Sequence, residues 1–189
     1  MIIILDCEGE PVQEVSALYV DETSKTIVDV FHRHVNYPFV PDSDWFCRRY
    51  VHGLRIPFLK RYGLCDEVEV VSVLRDWLAT HPYTSIYANA PAKEQRLLRL
   101  STNIHDVCLL PWKARGNCKS HQIALAMKLN YVPICGTYCT AHRSVLWKAK
   151  CMHRPSATDV VKMAFRHHCS LYDCIECFFV LMYETSGGK

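Results

Sequence analysis

Two pairs of side chains in this sequence have the types and spacing needed to hold and use divalent cations. Asp6 and Glu8 follow the apolar run IIIL, and near the other end of the chain His168 precedes Asp173 by five residues. Residues two apart on a strand share a face, so both carboxylates of the first pair would point the same way. Neighbouring carboxylates repel each other unless a cation lies between them, and oxygen ligands suit Mg²⁺ or Mn²⁺. In the second pair, the carboxylate would hold a metal while the imidazole activates a water molecule.

Each pair alone also has a simpler interpretation. Asp6 and Glu8 can be solvated acids at the end of a strand, and His168 can be a surface residue before a helix cap. Both spacings are weak signals when taken separately. They indicate a metal site only if the fold brings the two ends of the chain together.

The elements that must position these residues follow from the apolar periodicity. Residues 2–5, 14–20 and 26–35 have the pattern of strands joined by short turns, which predicts an antiparallel meander. Strands then alternate with helices, and this order predicts an α/β layer fold with a mixed sheet. The later strands are expected at 84–89 and in DVCLLPW, and the helices at 67–80, in PAKEQRLLRL, and at 120–130, 140–150 and 157–183.

Length and composition indicate an ordinary globular protein. The chain has 189 residues, half of them apolar, which predicts one domain over 1–184 and a flexible tail over 185–189. No apolar run approaches the roughly 20 residues of a membrane span, and the N-terminus lacks the features of a secretory signal. We therefore expect a soluble protein of the cytoplasm or nucleus with reduced cysteines. The net charge of +3 permits a nucleic-acid partner without arguing strongly for one, and the oligomeric state is left open.

Five segments in order along the chain resemble the DEDDh family of 3′–5′ exonucleases. They are ILDCEG, YANAPAKEQRLL, DVCLLPW, SHQIALAMKLN and HCSLYDCIECFFVL. The resemblance implies an RNase H-like fold, with a mixed five-stranded sheet whose first three strands are antiparallel, flanked by helices. It also implies that Asp6, Glu8 and Asp173 are ligands of two Mg²⁺ or Mn²⁺ ions, and that His168 is the general base that deprotonates the attacking water.

The second motif departs from the family pattern. The family places Asp four residues after its Asn, but the residue four after Asn89 is Lys93. One extra residue around Pro91 would put Glu94 in place, with the right charge on a longer arm. Glu94 can equally be a surface acid of a helix, and Asp106 is a weaker candidate.

The sequence is also similar to the Maelstrom domain, a diverged branch of the same superfamily. DVFHRHVNYPFVP, YANAPAKEQR and Cys177 carry this similarity. In that branch a Glu-Cys-His-Cys zinc set largely replaces the exonuclease acids. Phe39 and Phe165 stand where the Glu and the first Cys would align, so that zinc set is expected to be absent here.

Zinc is an alternative cofactor because several cysteines have ligand spacing. Cys118 and His121 could join Cys174 and Cys177 as four ligands of a structural zinc ion. A second cluster of similar merit contains Cys135, Cys139, His142, Cys151 and His153. The competing interpretation is that these thiols are small buried residues.

Basic residues outnumber acids between 113 and 166 and could bind a nucleic-acid backbone. The alternative is a solvated helical face. The candidates for this contact are Lys113, Arg115, Arg143 and Arg166.

Taken together, the sequence predicts a metal-dependent 3′–5′ exonuclease that hydrolyses RNA or single-stranded DNA by a two-metal mechanism. The alternative from another class is a catalytically inactive nucleic-acid-binding or scaffold domain, stabilised by zinc. Lys93 at the nominal Asp position favours this alternative. An endonuclease on the same fold is a third interpretation.

Overall fold

A computed structural model of the protein describes residues 1–9, 11–36, 63, 66–99, 103–107 and 170–185. Strands and helices are numbered below within these residues. The strands are β1 (Ile2–Glu8), β2 (Glu14–Asp21), β3 (Thr26–His34), β4 (Ser85–Ala88) and β5 (Ile104–Asp106), and the helices are α1 (Glu67–Thr80), α2 (Ala92–Leu98) and α3 (Ser170–Thr185).

The strands form one five-stranded sheet in the order β3-β2-β1-β4-β5. The first three are antiparallel, whereas β4 runs parallel to β1 and β5 runs parallel to β4. This topology confirms the predicted mixed sheet with an antiparallel meander. The central strand β1 has a paired neighbour on each side, and its residues from Ile2 to Cys7 are buried.

Helices cover both faces of this sheet, and alternation along β1 divides the core into two halves. Ile2 and Ile4 pack with α3 on one face, while Ile3 and Leu5 pack with α1 and α2 on the other. Residues with even numbers on β1 therefore point toward α3. Asp6 and Glu8 continue that even-numbered row.

Helix α1 shows why a valine-rich segment is helical here. Its N-cap Asp66 accepts a hydrogen bond from the amide of Glu69 at 2.8 Å, which satisfies a donor of the first turn. Val70, Leu74 and Leu78 are buried at a spacing of four residues and form the packed face. Tertiary packing outweighs the β-propensity of valine, and the predicted helix at 67–80 is confirmed.

Two predicted boundaries differ from the structure. β1 continues through Glu8 rather than ending at Leu5, because β2 pairs with it along its full length, as far as Glu8 with Glu14. The last described strand, β5, begins two residues before the segment DVCLLPW and shares only Asp106 with it, and residues 108–112 of that segment lie outside the described residues. β5 pairs Ile104 with Ile86 and ends at Asp106, where its short partner β4 also ends.

Some predictions lie outside the described residues. These include the helices at 120–130 and 140–150 and the first part of the helix at 157–183. The described part of that last helix begins at Ser170 and runs to Thr185, the first residue of the predicted tail. Among the residues described, no helix is long and apolar enough to cross a membrane.

Candidate metal centre

The site begins at the carboxyl end of β1, where the polar residues interrupt the buried row. Asp6 is only 7% exposed, so it is not a solvated acid at a strand end. Glu8 is partly buried on the same face. A buried carboxylate is costly unless a hydrogen bond or a positive charge compensates it. This position therefore calls for a charged partner.

Helix α3 brings the third carboxylate to this place. Leu171, Cys174 and Phe178 are fully buried against the sheet face that carries Ile2 and Ile4. Asp173 lies in the first turn of the helix. One carboxylate oxygen from each of Asp6, Glu8 and Asp173 lies within 4.8 Å of the other two. The fold thus brings Asp173 of the C-terminal pair to the two acids of β1, whereas His168 of the same pair lies outside the described residues.

Glu94 approaches β1 from the edge next to β4. The pairing between β1 and β4 stops at Ile4 and Tyr87, so the later backbone of β1 is open on that side. There the amide of Cys7 donates a hydrogen bond to Oε1 of Glu94 at 3.1 Å. Glu94 is 2% exposed, which excludes the interpretation of a surface helical acid.

Two buried carboxylate oxygens of these acids have no hydrogen-bond partner among the described residues. They are Oδ2 of Asp6 and Oε2 of Glu94. Their charges are close enough for Glu94 to raise the pKa of Asp6. Buried acceptors of this kind normally have a partner, and a cation is the partner that suits carboxylates.

The pKa shifts of these acids also indicate that the site suits a cation. Burial raises the pKa of Asp6 well above its usual value, and the charges of Asp173, Glu8 and Glu94 add to the effect. Burial also raises the pKa of Glu94. Like charges at close range favour the neutral acid, and a bound divalent cation would reverse that preference.

Lys93 lies beside the acids at the position where the family pattern has Asp. Its ammonium donates a hydrogen bond to the carbonyl oxygen of Cys7 at 3.2 Å. Lys93 and Glu94 therefore hold the carbonyl and the amide of the same β1 residue. The positive charge of Lys93 also lowers the pKa of Asp6, against the larger effects of burial and the neighbouring acids.

Asp106 has a positioning role away from the acids. Its Oδ1 accepts a hydrogen bond from the amide of Ala90 at 3.1 Å. Ala90 has a φ of 56°, a left-handed conformation that costs energy for a residue other than Gly and needs such support. This contact fixes the turn that leads from β4 into α2, the helix that presents Glu94.

A second group of potential ligands was missed by the sequence reasoning. Glu14 on β2 and His32 and His34 on β3 are all buried, and one ligand atom from each lies within 4.8 Å of the others. The detectable signal was His-x-His on a strand, since both imidazoles must share a face. Burial would raise the pKa of Glu14, but the hydrogen bond from His34, the charges of both histidines and the amide of Ser170 instead lower it to about 2.

The cysteine prediction is met only in part by described residues. Cys174 and Cys177 are buried and form no disulfide, and the thiol of Cys174 lies within hydrogen-bond distance of the carbonyl oxygens of Ile4 and Ser16. Burial raises the pKa of Cys174 well above its usual value, so it is a neutral thiol packed in the core. The other predicted ligands, general base and basic contacts lie outside the described residues: Cys118, His121, His168, Lys113, Arg115, Arg143 and Arg166.

Comparisons with known proteins identify the fold. The chain is similar to the structure of the nuclease domain of 3′hExo, a DEDDh family member, bound to rAMP, with a TM-score of 0.53 and 18% identity over 99% of this chain and 92% of that one. It also matches exonuclease X in complex with 5′ overhanging duplex DNA, with a TM-score of 0.46 and 17% identity over 99% of this chain and 93% of that one. The protein thus has the RNase H-like fold of DEDDh exonuclease domains, as predicted.

Sequence comparisons add no further relative. No family model matches the chain, and no curated protein is significantly similar to it. The resemblance to the Maelstrom domain therefore has no support beyond the residues that suggested it.

Proposed function

We propose that this protein is a metal-dependent 3′–5′ exonuclease that hydrolyses phosphodiester bonds of RNA or single-stranded DNA. One observation supports this most strongly. Carboxylate oxygens of Asp6, Glu8 and Asp173 lie within 4.8 Å of one another although the residues come from opposite ends of the chain. The fold places this cluster at the carboxyl end of the central strand of a DEDDh-type nuclease domain.

The residues present fit a pair of divalent cations. Asp6, Glu8, Asp173 and Glu94 offer only oxygen donors, and Oδ2 of Asp6 and Oε2 of Glu94 are buried without a hydrogen-bond partner in the described part of the chain. Two Mg²⁺ or Mn²⁺ ions held by these four side chains would supply the positive charge that activates a water and stabilises the leaving oxygen.

The protein's own residues then have separate tasks. Asp6 and Glu8 are fixed by the sheet, and Asp173 is fixed by a helix packed on that sheet, so the three oxygens are organised before substrate arrives. Glu94 accepts a hydrogen bond from the amide of Cys7 with one oxygen, and its other oxygen is buried with no hydrogen-bond partner among the described residues. His168, five residues before Asp173, is the proposed group that takes the proton from the attacking water.

The nature of the substrate rests on a similar protein. The nuclease domain of 3′hExo was solved with rAMP, a ribonucleotide. A site that accepts one nucleotide suits an enzyme that removes nucleotides singly from a chain end. We therefore propose that single-stranded RNA is a substrate, with single-stranded DNA as the second substrate to be tested.

The test is a cleavage assay on single-stranded RNA and DNA oligonucleotides labelled at the 5′ end, with Mn²⁺, Mg²⁺ or EDTA. A 3′–5′ exonuclease gives a ladder of labelled products that shortens progressively, and only when a divalent ion is present. Immediate appearance of short labelled fragments, without the longer intermediates of a ladder, would indicate an endonuclease, and the proposal of exonuclease activity would then fail.

Matched variants connect the activity to the site. Asp6→Asn removes a charge from the acid cluster, whereas Asp76→Asn makes the same chemical change at an exposed position of α1. Cleavage lost in the first variant and kept in the second supports the proposal. A folded wild-type protein that binds the oligonucleotides and never cleaves them would instead support the inactive nucleic-acid-binding domain.

A further inference from the structure

The group formed by Glu14, His32 and His34 has a distinct composition from the acid cluster. It contains two imidazoles and one carboxylate, and all three side chains are at most 3% exposed. Nε2 of His34 lies 3.0 Å and Nε2 of His32 lies 3.5 Å from the same oxygen, Oε1 of Glu14. Two nitrogen atoms and one oxygen thus converge on a single buried point.

A β-bulge between β2 and β3 brings Glu14 and the two histidines to the same face of the sheet. Near the turn, β2 and β3 pair Val20 with Ile27, but the register shifts between Tyr19 and Val20, so Tyr19 pairs with Asp29. The shift leaves Val28 outside the pairing and brings Glu14 opposite His34. Without that extra residue Glu14 would face Arg33, and both histidines would point to the other side of the sheet.

The distances match the needs of a zinc ion. Zinc binds His nitrogen and carboxylate oxygen at about 2.0–2.1 Å, so neighbouring ligand atoms of a tetrahedral site lie about 3.3 Å apart. The observed 3.0 and 3.5 Å bracket that value. Nitrogen-rich ligand sets favour zinc and other transition metals, whereas the all-oxygen set around Asp6 favours Mg²⁺ or Mn²⁺.

Outer hydrogen bonds hold the ligands in the required orientation. Nδ1 of His32 and the hydroxyl of Ser16 lie 2.6 Å apart, and that hydroxyl is also 2.6 Å from the hydroxyl of Ser170. Oε2 of Glu14 accepts a hydrogen bond from the amide of Ser170 at 2.9 Å, leaving Oε1 for the two histidines. Metal-binding histidines and carboxylates are commonly fixed by such partners.

We propose that Glu14, His32 and His34 form a zinc site that fastens the start of α3 to the sheet. Ser170 is the first residue of α3, and Asp173 lies one turn later in the same helix. Zinc at Glu14 therefore stabilises the position from which α3 presents Asp173 to the acid cluster. The described residues thus supply three of the four ligands of a tetrahedral zinc site.

The first experiment measures metal content without using activity. Protein produced with added zinc is passed through a desalting column and analysed by mass spectrometry of the elements. We expect close to one zinc ion per chain in the wild type, in Asp6→Asn and in Arg33→Gln, whose side chain is exposed between the two histidines. We expect loss of that zinc in His34→Gln. Retention of zinc in His34→Gln with loss in Asp6→Asn would assign the ion to the acid cluster and overturn the proposal.

The second experiment keeps the wild-type ligands, so it does not depend on whether His34→Gln folds. Metal-free Asp6→Asn protein is titrated with zinc, and the midpoint of thermal unfolding is followed. At a hundredfold excess over the dissociation constant, binding should raise the midpoint by about 5–10 °C. No increase in midpoint would contradict a zinc site that belongs to the folded state.

Cobalt provides the spectroscopic check in the same Asp6→Asn protein. Co²⁺ in a four-coordinate site has much stronger visible absorption bands than Co²⁺ bound by six oxygen ligands. We expect strong bands that disappear when added zinc replaces the cobalt. If only weak bands are observed, the proposal is overturned. Neither outcome depends on the proposed nuclease activity, which Asp6→Asn removes.

Discussion

The acid cluster and the Glu14 group lie on the same face of the same sheet, in adjacent rows. One row across the first three strands is Asp6, Ser16 and His32, and the next is Glu8, Glu14 and His34. Burial raises the pKa of both Asp6 and Glu14, but the neighbouring acids raise the pKa of Asp6 further, whereas the neighbouring imidazoles and the amide of Ser170 lower the pKa of Glu14 to about 2. Because both carboxyl groups are buried, the types of neighbour account for the opposite directions of the two pKa shifts.

The largest expected effect is the loss of cleavage in Asp6→Asn. Removing a metal ligand should lower kcat about 1,000-fold or more, because the charge that the ion supplies in the transition state is worth several kcal/mol. Without metal, the same variant should unfold at a higher temperature than the wild type, since repulsion among the acids is relieved. Relief of 1 kcal/mol corresponds to a midpoint about 2–4 °C higher.

Cleavage assays measure the loss of kcat, and thermal unfolding in EDTA measures the change in midpoint. Asp76→Asn is the control in both. If Asp6→Asn unfolds at a lower temperature than the wild type in EDTA, repulsion in the acid cluster is not the dominant effect there.

Glu94→Gln tests whether the fourth acid belongs to the acid cluster. Glutamine can still accept the hydrogen bond from the amide of Cys7, so the fold should be retained. The lost charge should lower kcat by about 100-fold or more. Unchanged cleavage with unchanged Mn²⁺ affinity, measured by calorimetry, would remove Glu94 from the site. Gln95→Glu, an exposed neighbour on α2, is the matched control.

Glu14→Gln should lower the stability of the metal-free protein, in contrast to Asp6→Asn, which should raise it. The pKa of Glu14 is lowered in the folded state from 4.5 to about 2, a difference that corresponds to about 3 kcal/mol of stability. Because the pKa is lowered, this stability is present above pH 4.5 and is lost as the pH falls toward 2.

Urea unfolding of wild type and Glu14→Gln in EDTA, at pH values from 7 down to 3, measures the effect. The wild type should be the more stable at pH 7, and the difference should shrink as the pH falls. A difference that is constant with pH would mean that the charge of Glu14 contributes nothing to it.

The smallest expected effect is that of Lys93→Met. Lys93 is a competing positive charge beside the acids, and it also holds the carbonyl of Cys7. Its removal should tighten Mn²⁺ binding by about two- to fivefold, an effect typical of one partly screened charge. Calorimetric titration measures this change, and Lys25→Met, in the turn at the other end of β2, is the control. Weaker Mn²⁺ binding would show that the hydrogen bond from Lys93 to Cys7 helps the site to bind Mn²⁺ more than the positive charge of Lys93 repels the ion.

Much of the acid cluster could be predicted because its signals are local. Asp6 and Glu8 follow an apolar run with a spacing that fixes their common face, and Asp173 follows a recognisable His spacing. Glu94 was harder, because sequence alone left it between ligand and surface acid. Its burial depends on the gap that opens where β1 and β4 stop pairing.

The Glu14 group could not be predicted in the same way, for a reason that lies in strand register. Glu14 and His34 are 20 residues apart in sequence, and the turn between β2 and β3 would pair Glu14 with Arg33 if the ladder were regular. A bulge of one residue at Val28 reverses which side chains share a face. Such a shift depends on packing against neighbouring strands and α3 and leaves no distinct local pattern.

The sequence by itself determined the sheet's first three strands, the helical spacing of the apolar residues in α1 and the Asp-x-Glu that ends β1, because each depends on short-range periodicity. Tertiary structure alone decided that Glu94 is buried beside Asp6, that Glu14 meets two histidines, and that Ser170 ties that group to the helix of Asp173. The physical reason is that these contacts join residues far apart in the chain. Their geometry is set by the register of the strands and by how the helices pack on the sheet.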